Sequence, residues 1–266
     1  MTDTTNLYAE NNLLLGAIAG DLIGSYYEFR PTKDLNFPLF HPESRFTDDT
    51  VMTMATAQWI LTQGNLPSLM QEYGNRYPDA GYGSGFQKWL TSKNPRPYNS
   101  FGNGSAMRIS PVGWAFPSLE ETLQAASENA SVSHNHPEGI KGAQATAACI
   151  FLARTGHSKE QIKKYIEETF HYDLHQSCGT IRKYYTFDVT CQGSVPPSIT
   201  AFLESNDYEH AVRLAVSLGG AITGSIAEAY YQKIPDCIRQ EVMRRLPSEF
   251  IELIRRFSHQ YFIPSF

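Results

Sequence analysis

Apolar residues recur at helical spacing over most of the chain, and no run of alternating β-branched residues predicts a sheet. A helix is expected after FTDDT, and its apolar pattern stops at Gly64. Pro196-Pro197 is expected to open another helix that runs to about residue 204. Further helices are predicted near 119–129, 137–155, 158–169, 207–217, 221–232, 235–245 and 247–257. The chain is therefore predicted to be all-α.

The first apolar segment, NNLLLGAIAGDLIGSYYEF, predicts a helix with an unusual face. Asn11 or Asn12 is expected to cap its start. Gly16, Gly20 and Gly24 recur every four residues and so share one side of the helix. Each of these glycines costs the helix roughly 1 kcal/mol relative to alanine. Another part of the molecule is therefore expected to approach this face closely.

Length and charge narrow the classes of function. A chain of 266 residues can bury roughly 75% of the surface that its unfolded form exposes, and one domain over residues 1–266 is expected. The 22 basic and 27 acidic residues give a net charge of −5. Because no basic surplus exists to neutralise phosphates, broad binding to nucleic acid is not expected. One phosphorylated small molecule in a local pocket remains compatible with this charge.

Composition also bears on location. No run approaches the roughly 20 apolar residues that a membrane helix needs, and the polar start lacks the basic region of a secretory signal. The four cysteines are scattered and form no CxxC pair. A reducing cytoplasm is therefore the expected compartment, with no membrane partner and a monomer as the default assembly.

The stretch Thr47-Asp48-Asp49-Thr50 can be interpreted in two ways. In the first, Thr47 or Asp48 caps a helix and the acids of the first turn suit its dipole. In the second, two carboxylates and a threonine hydroxyl supply three oxygen ligands to Mg²⁺ or Mn²⁺. Spacing alone leaves both interpretations open.

A second candidate site lies in a region of residues 74–105 that is expected to be mostly loop, interrupted by GFQKWLTS. Gly102, Gly104 and Ser105 lead into AMRI, which has helical character. Closely spaced glycines before a helix let backbone N–H groups approach a phosphate. A tight turn with a serine cap is the alternative. Phe101 could stack on a base or simply pack.

Two groups of histidines are candidate metal ligands. His134 and His136 form an HxH pair, which can bind a metal when the segment is extended. No cysteine or third histidine lies near them in sequence, so zinc is not expected and a phosphate or ribose contact is the alternative. His171, His175 and Cys178 would share a face of a helix, although a surface trio is the more common outcome.

The order of these motifs carries more information than any one of them. GAIAGDLIGSYYEF, FTDDTVMTMA, YNSFGNGSAMRISPVG, SHNHPEGIKGAQATAACIF and CQGSVPPSITAFLES closely resemble the ADP-ribosylglycohydrolases of the dinitrogenase-reductase-activating-glycohydrolase type. The resemblance covers residues from about 13 to 232. It implies a compact, single-domain orthogonal helical bundle with a two-magnesium centre, in which Mn²⁺ could replace Mg²⁺. It also implies a hydrolase that removes ADP-ribose from a modified protein or small molecule by metal-assisted cleavage of the ribosyl C1″ bond.

The resemblance assigns expected roles to particular residues. Thr47, Asp48 and Asp49 match half of the metal centre, and the two aspartates are expected to take part in catalysis. Glu28 matches the family's glutamate beside the scissile bond. The loop that holds the diphosphate and the neighbouring ribose, together with a histidine lining the same cleft, is matched by Phe101, Gly102, Gly104, Ser105, Met107 and His134. ADP-ribose or an ADP-ribosylated substrate is the expected partner, and nucleic acid is expected only as a modified substrate.

The chain departs from the family pattern at one point. The second metal motif, Asp-x-Asp-Thr, should follow Leu-Gly-Gly, but Leu218-Gly219-Gly220 joins directly to Ala221-Ile222. About six residues with two aspartates are absent. Three explanations are open: a natural deletion, an engineered one, or an omitted flexible loop with the numbering closed over it. A Gly220–Ala221 Cα distance near 3.8 Å would exclude the last. A true deletion predicts an ADP-ribose-binding protein with impaired catalysis.

Overall fold

A computed structural model describes residues 12–218 and 222–262. Within these ranges fifteen helices form, no strand is present, and an isolated antiparallel bridge joins Gly102 to Thr190. The helices are α1 (Leu15–Tyr27), α2 (Asp48–Thr62), α3 (Leu66–Arg76), α4 (Ser84–Leu90), α5 (Gly104–Met107), α6 (Ser110–Ala115), α7 (Leu119–Ser131), α8 (Pro137–Arg154), α9 (Lys159–Phe170), α10 (Cys178–Ile181), α11 (Cys191–Glu204), α12 (Tyr208–Leu218), α13 (Thr223–Tyr231), α14 (Asp236–Arg245) and α15 (Ser248–Tyr261). The prediction of an all-α fold is confirmed.

Helix α8 lies at the centre of the bundle. It packs against six other helices, namely α5, α6, α7, α9, α11 and α13. A helix surrounded in this way has to be apolar on all sides, and small residues let its neighbours approach: Gly142, Ala143, Ala147 and Ala148 are all buried. A Cβ added to Gly142 would lie 2.7 Å from the Cβ of Cys191 in α11. No helix in residues 12–218 and 222–262 is long and apolar enough to cross a bilayer.

The glycine face of α1 meets α13, as the sequence predicted for Gly16. A Cβ added to Gly16 would lie 2.6 Å from the carbonyl oxygen of Gly224, which is tighter than real Cβ contacts. Gly224 in turn lies directly against the carbonyl oxygen of Gly16. The hydroxyl of Tyr208 donates to that same Gly16 oxygen at 2.8 Å. The two helices therefore cross at backbone contact.

We expect Gly224→Ala to lower the free energy of unfolding by about 2 kcal/mol, because the new methyl group overpacks the crossing. Gly179→Ala is the matched control. It lies inside α10 with only the Ser177 hydroxyl, 3.8 Å away, near the added Cβ, so alanine should be neutral or slightly stabilising. Urea unfolding of both variants measures the effect. Equal stability of the two would contradict the tight crossing.

Helix α1 begins later than predicted and is not capped by asparagine. Leu14 precedes it with φ 74° and no side-chain cap, and Asn12 lies outside the helix, while Asn11 is outside the described residues. The Glu228 side chain of α13 instead packs against the start of the helix, where a Cβ added to Gly16 would lie 3.1 Å from its Cδ. Burial raises the pKa of Glu228 to about 8, and the nearby backbone N–H groups of Leu14, Leu15 and Gly16 offset part of this rise. A carboxyl group from α13 thus lies at the start of α1, where an asparagine cap was predicted.

The prediction that Pro196-Pro197 opens a helix is wrong. Helix α11 begins at Cys191, and the hydroxyl of Thr190 accepts from Gly193 N to cap it. Because a proline has no N–H, Pro197 leaves the carbonyl of Gly193 without its helical partner. The hydroxyl of Tyr185 donates to that carbonyl at 3.0 Å. A side chain from the preceding loop therefore compensates for prolines inside the helix.

The position of the missing Asp-x-Asp-Thr motif falls between α12 and α13. Residues 219–221 lie outside the described residues, and so does the predicted Gly220–Ala221 distance. The flanking helices are described up to Leu218 and from Thr223. The extent of a single domain over 1–266 likewise stays a prediction.

Candidate functional site

A cavity of about 490 Å³ opens between the first turns of α2, the C-terminal half of α1 and the loop before α5. Its lining includes a group of acids, and also the glycine loop with a neighbouring histidine. The cavity brings together eight of the ten residues predicted from the sequence: Glu28, Thr47, Asp48, Asp49, Gly102, Gly104, Met107 and His134. Motifs up to 106 residues apart in the chain therefore share one cleft.

The remaining two predicted residues, Phe101 and Ser105, lie beside this cavity. Phe101 is 44% exposed and packs edge-on against His136, with ring centroids 5.3 Å apart. Ser105 is fully buried, and its hydroxyl donates to the carbonyl of Gly139 at 2.7 Å. The Ser105 side chain thus anchors the loop to α8, whereas Phe101 leaves a free aromatic surface near the mouth.

Asp21 of α1 holds the Thr47–Thr50 segment in place. Its buried carboxylate accepts from Thr47 through the backbone N–H at 2.8 Å and the hydroxyl at 2.6 Å. It also accepts from Thr50 through the N–H at 3.1 Å and the hydroxyl at 2.5 Å. Both threonine side chains are therefore oriented by one carboxylate, which fixes where the Asp48 and Asp49 side chains leave the helix.

Sequence reasoning assigned no role to Asp21. An acid among apolar residues, flanked by Gly20, was its only local signal. Its partners are 26 and 29 residues away in the chain. A buried acid needs such partners, but a single sequence does not reveal which ones it has.

The cap and metal interpretations of the TDDT stretch are compatible in the fold. Thr47 is the N-cap of α2, and its hydroxyl accepts from Asp49 N at 3.4 Å. The backbone N–H of Asp48 is bound separately, to the carbonyl of Ala80 at 2.9 Å. Both aspartates begin the helix, half-buried, and both line the cavity.

The acidic side of the cavity holds four carboxylates that repel one another. Burial, and then the charge of Asp21, raises the pKa of Asp48 to about 7. The same two causes, followed by Asp48, raise the pKa of Asp49 well above its usual value. Glu28 is raised by burial and by Asp21. No cationic side chain of the described residues is among the groups that perturb them. The cluster therefore favours binding of protons or of an external cation.

The chemistry of these donors suits a hard divalent cation. Carboxylate oxygens and a threonine hydroxyl are the ligands that Mg²⁺ and Mn²⁺ prefer, with water or substrate completing the set. In the part of the chain that the structure describes, no group of three His, Cys, Asp or Glu side chains forms a full metal site. Thr47, Asp48 and Asp49 thus fit one side of a cation site.

The glycine loop lines the same cavity as the acids. Its backbone is held by Asn103 N, which donates to Val189 O at 2.7 Å, and by Cys191 N, which donates to Phe101 O at 2.9 Å. Helix α5 is a single turn that ends at Met107, so AMRI is only partly helical. No acceptor within residues 12–218 and 222–262 pairs with the N–H groups of Gly104 and Ser105. These two donors remain available to an anion.

The histidines take different roles. His134 is 5% exposed and lines the cavity, whereas the Nδ1 of His136 accepts from Glu138 N at 3.1 Å and caps α8. His171 ends α9 in a left-handed conformation, and His175 lies beyond it in a loop. The HxH pair is therefore divided between a cleft and a helix cap.

Comparisons with known proteins relate the chain to one family. The family model described as ADP-ribosylglycohydrolase matches residues 11–262. "ADP-ribosylhydrolase ARH3" of Homo sapiens is 30% identical over 184 residues, which cover 56% of this chain and 50% of that protein. "ADP-ribosylarginine hydrolase Tri1" of Pseudomonas putida (strain GB-1) is 25% identical over 257 residues, which cover 82% of this chain and 69% of Tri1. The chain spans about half the length of the ARH3 relatives that it matches.

A solved structure supports the fold independently. A chain of an "ADP-ribosylglycohydrolase-related protein complex" superimposes with a TM-score of 0.72 at 23% sequence identity. The superposition covers 97% of this chain and 99% of that one. Together with the family match over residues 11–262, this shows that the chain belongs to the ADP-ribosylglycohydrolase family.

Proposed function

We propose that this protein removes ADP-ribose from an ADP-ribosylated protein or small molecule, with a divalent cation bound at Thr47, Asp48 and Asp49. The observation that carries the proposal is the meeting of four carboxylates and a glycine loop in one cavity of this family's fold. Its volume of about 490 Å³ is of the size that small-molecule sites have. The hydrolase names of the ARH3 and Tri1 relatives support the same class of reaction.

The two sides of the cavity suit the two ends of such a substrate. The unpaired N–H groups of Gly104 and Ser105 can donate hydrogen bonds to the diphosphate. A diphosphate needs hydrogen-bond donors around it and not acids. The carboxylates line the same cavity, and we place the ribose bond that breaks beside them. Cleavage at C1″ passes through an oxocarbenium-like state that carboxylates stabilise, and Glu28 is the candidate for proton transfer to or from the reacting atoms. A bound Mg²⁺ or Mn²⁺ would supply orientation of ribose hydroxyls and a more acidic water.

The test is release of free ADP-ribose from arginine- and serine-linked substrates in the presence of Mg²⁺ or Mn²⁺. We expect release that depends on the cation and stops with EDTA. Absence of release from arginine-, serine- and nucleic-acid-linked substrates would overturn the hydrolase proposal.

A second candidate is an ADP-ribose-binding protein that does not turn over. It is favoured by the absence of Asp-x-Asp-Thr after Gly220, which removes the ligands of a second cation from the sequence. Calorimetry combined with the release assay separates the two candidates. A hydrolase binds ADP-ribose and also releases it from the substrate, whereas a binding protein gives heat of ADP-ribose binding but forms no product. Absence of ADP-ribose binding would eliminate both.

Gly104→Ala is expected to weaken ADP-ribose binding about tenfold, because its Cβ would lie 2.8 Å from Nε2 of His134 and fill the diphosphate side of the cavity. Gly83→Ala is the matched control. Gly83 lines the same cavity, and a Cβ added there meets nothing within 4 Å. Calorimetric titration of both variants checks the difference. Equal affinities would place the ligand away from the loop.

We also propose that the protein is a cytoplasmic monomer. The four cysteines are free thiols, three of them buried, as a reducing compartment allows.

A further inference from the structure

Arg108 is a fully buried cation that lines the cavity. Its Nε donates to Asn129 Oδ1 and its Nη2 to Asn129 O, both at 2.8 Å. Nη2 also donates to the hydroxyl of Ser133 at 3.2 Å. No carboxylate of residues 12–218 and 222–262 pairs with this guanidinium. Burial lowers the pKa of Arg108 only to about 10, so it stays charged at neutral pH.

The hydrogen bond from Arg108 to Ser133 fixes the direction of the hydrogen bond between Ser133 and His134. An arginine can only donate, so the Ser133 oxygen is an acceptor toward Arg108. Its single proton has one partner within hydrogen-bond reach in the described residues, Nδ1 of His134 at 2.8 Å. If Nδ1 carried the proton instead, the Ser133 hydroxyl would accept two hydrogen bonds. Its own proton would then be buried without an acceptor, which is costly. The hydroxyl therefore donates to Nδ1.

This choice sets the state of the His134 ring. With Nδ1 accepting, a neutral imidazole carries its proton on Nε2. Burial, and then the nearby charge of Arg108, lowers the pKa of His134 well below its usual value. Nε2 has no hydrogen-bond partner in the described part of the chain. A Cβ on Gly104 or Gly102 would lie 2.8 or 3.6 Å from Nε2, so this atom points at the glycine loop.

We propose that Arg108 and Ser133 are positioning residues that hold His134 as a neutral Nε2–H donor, directed at the anionic part of a ligand bound on the Gly102–Ser105 loop. The identity of that ligand as a diphosphate rests on the proposed function, but the tautomer does not. In the opposite tautomer a lone pair on Nε2 would face the anion and repel it. The buried Arg108 excludes that state through Ser133 and adds a positive charge near the ring.

The hydrogen bonds that connect Arg108, Ser133 and His134 continue to the rest of the site through Asn129. Because Asn129 Oδ1 accepts from Arg108, its Nδ2 is free to donate, and it donates to the hydroxyl of Thr56 at 3.2 Å. Thr56 lies on α2, two turns after Asp49. The buried chain of hydrogen bonds therefore runs from His134 to α2, the helix that begins with Asp48 and Asp49.

The direct test is the ¹⁵N spectrum of histidine-labelled protein without ligand, with His134 assigned by its loss in His134→Gln. We expect Nδ1 of His134 to show the shift of an unprotonated ring nitrogen and Nε2 that of a protonated one. Ser133→Ala should convert His134 to a mixture of tautomers, and Ser133→Thr, which keeps a hydroxyl, should restore the single form. A protonated Nδ1 in the wild-type protein would overturn the proposal whether or not any variant folds.

A second readout uses isosteres of the two ring nitrogens. The amide of Gln places a donor near the position of Nε2, whereas that of Asn reaches only the position of Nδ1. We expect His134→Gln to keep ADP-ribose affinity within about threefold and His134→Asn to lose about tenfold, since a hydrogen bond to a charged group is lost. The reverse order would refute the donor assignment. If the wild-type protein binds no ADP-ribose, the proposed function fails and the spectrum alone decides the tautomer.

Discussion

Inserting six residues that carry Asp-x-Asp-Thr between Gly220 and Ala221 is expected to raise the rate of ADP-ribose release at least about 100-fold in Mg²⁺. The two added aspartates would supply ligands for a second cation. A two-cation site stabilises a transition state by several kcal/mol, and about 3 kcal/mol corresponds to roughly a hundredfold in rate. Steady-state release of ADP-ribose from an arginine-linked substrate measures the gain.

The described residues on either side of the insertion point show why the effect is expected there. Val216 near the end of α12 and Ile222 just before α13 both line the cavity that holds Asp48 and Asp49. A loop grown between them would start and end at the cavity wall. Neither Val216 nor Ile222 has a side chain that could bind a cation.

The control for this experiment is the same insert with both aspartates replaced by asparagine. It has the same length and nearly the same shape but carries no negative charge for a second cation. We expect it to leave the rate at the level of the unmodified chain. If both inserts change the rate equally, or if the unmodified chain is already as fast as the aspartate insert, a missing half-site does not limit this protein.

Asp48→Asn is expected to stabilise the cation-free protein by about 2 kcal/mol at pH 8 and to have no such effect near pH 4. The pKa of Asp48 is raised from 3.8 to about 7 in the folded state. A shift of about 3 units corresponds to roughly 4 kcal/mol, which we halve because the side chain is half-buried and water screens its open side. Since the folded pKa is the higher one, the fold binds the proton more tightly and loses stability as pH rises from about 4 to 7.

Thermal unfolding in EDTA at several values of pH measures this effect. The wild-type protein should lose stability as pH rises, and Asp48→Asn should lose less. Mg²⁺ should restore stability to the wild type above pH 7 by neutralising the carboxylates, and it should act more weakly on the variant. Asp79→Asn, a nearby exposed acid without a hydrogen bond among the described residues, should follow the wild type. If stability depends on pH in the same way in the wild type and in Asp48→Asn, the Asp48 carboxylate does not destabilise the fold.

Local patterns predicted much of the helical framework. Helices α7, α8, α9 and α14 lie within two residues of their predicted bounds, because apolar periodicity and capping residues act over a few positions. The start of α11 was missed because a preference for prolines at helix starts is only a local tendency. The Tyr185 hydroxyl donates to the carbonyl of Gly193, which the prolines leave without a helical partner. The sequence near Pro196 does not predict this contact.

The candidate site divides in the same way. The residues that line the cavity could be expected from motif order, since each motif is contiguous. The groups that orient them come from elsewhere in the chain: Asp21 holds Thr47, and Arg108 acts on His134 through Ser133. Such second contacts depend on the packing of α1 and α7 against the motifs, which a single sequence does not contain.

Because Gly16 and Gly224 are in backbone contact, the position of α13 does not depend on the length of the connection between α12 and α13. Helix α13 is located by its crossing with α1 and by the Glu228 carboxylate on the start of α1. The number of residues between Leu218 and Ile222 is therefore free to change without moving the cavity wall. Under the proposed function, we expect a single short insertion or deletion at this point to shift the protein between hydrolysis and binding, while the rest of the molecule is inherited unchanged.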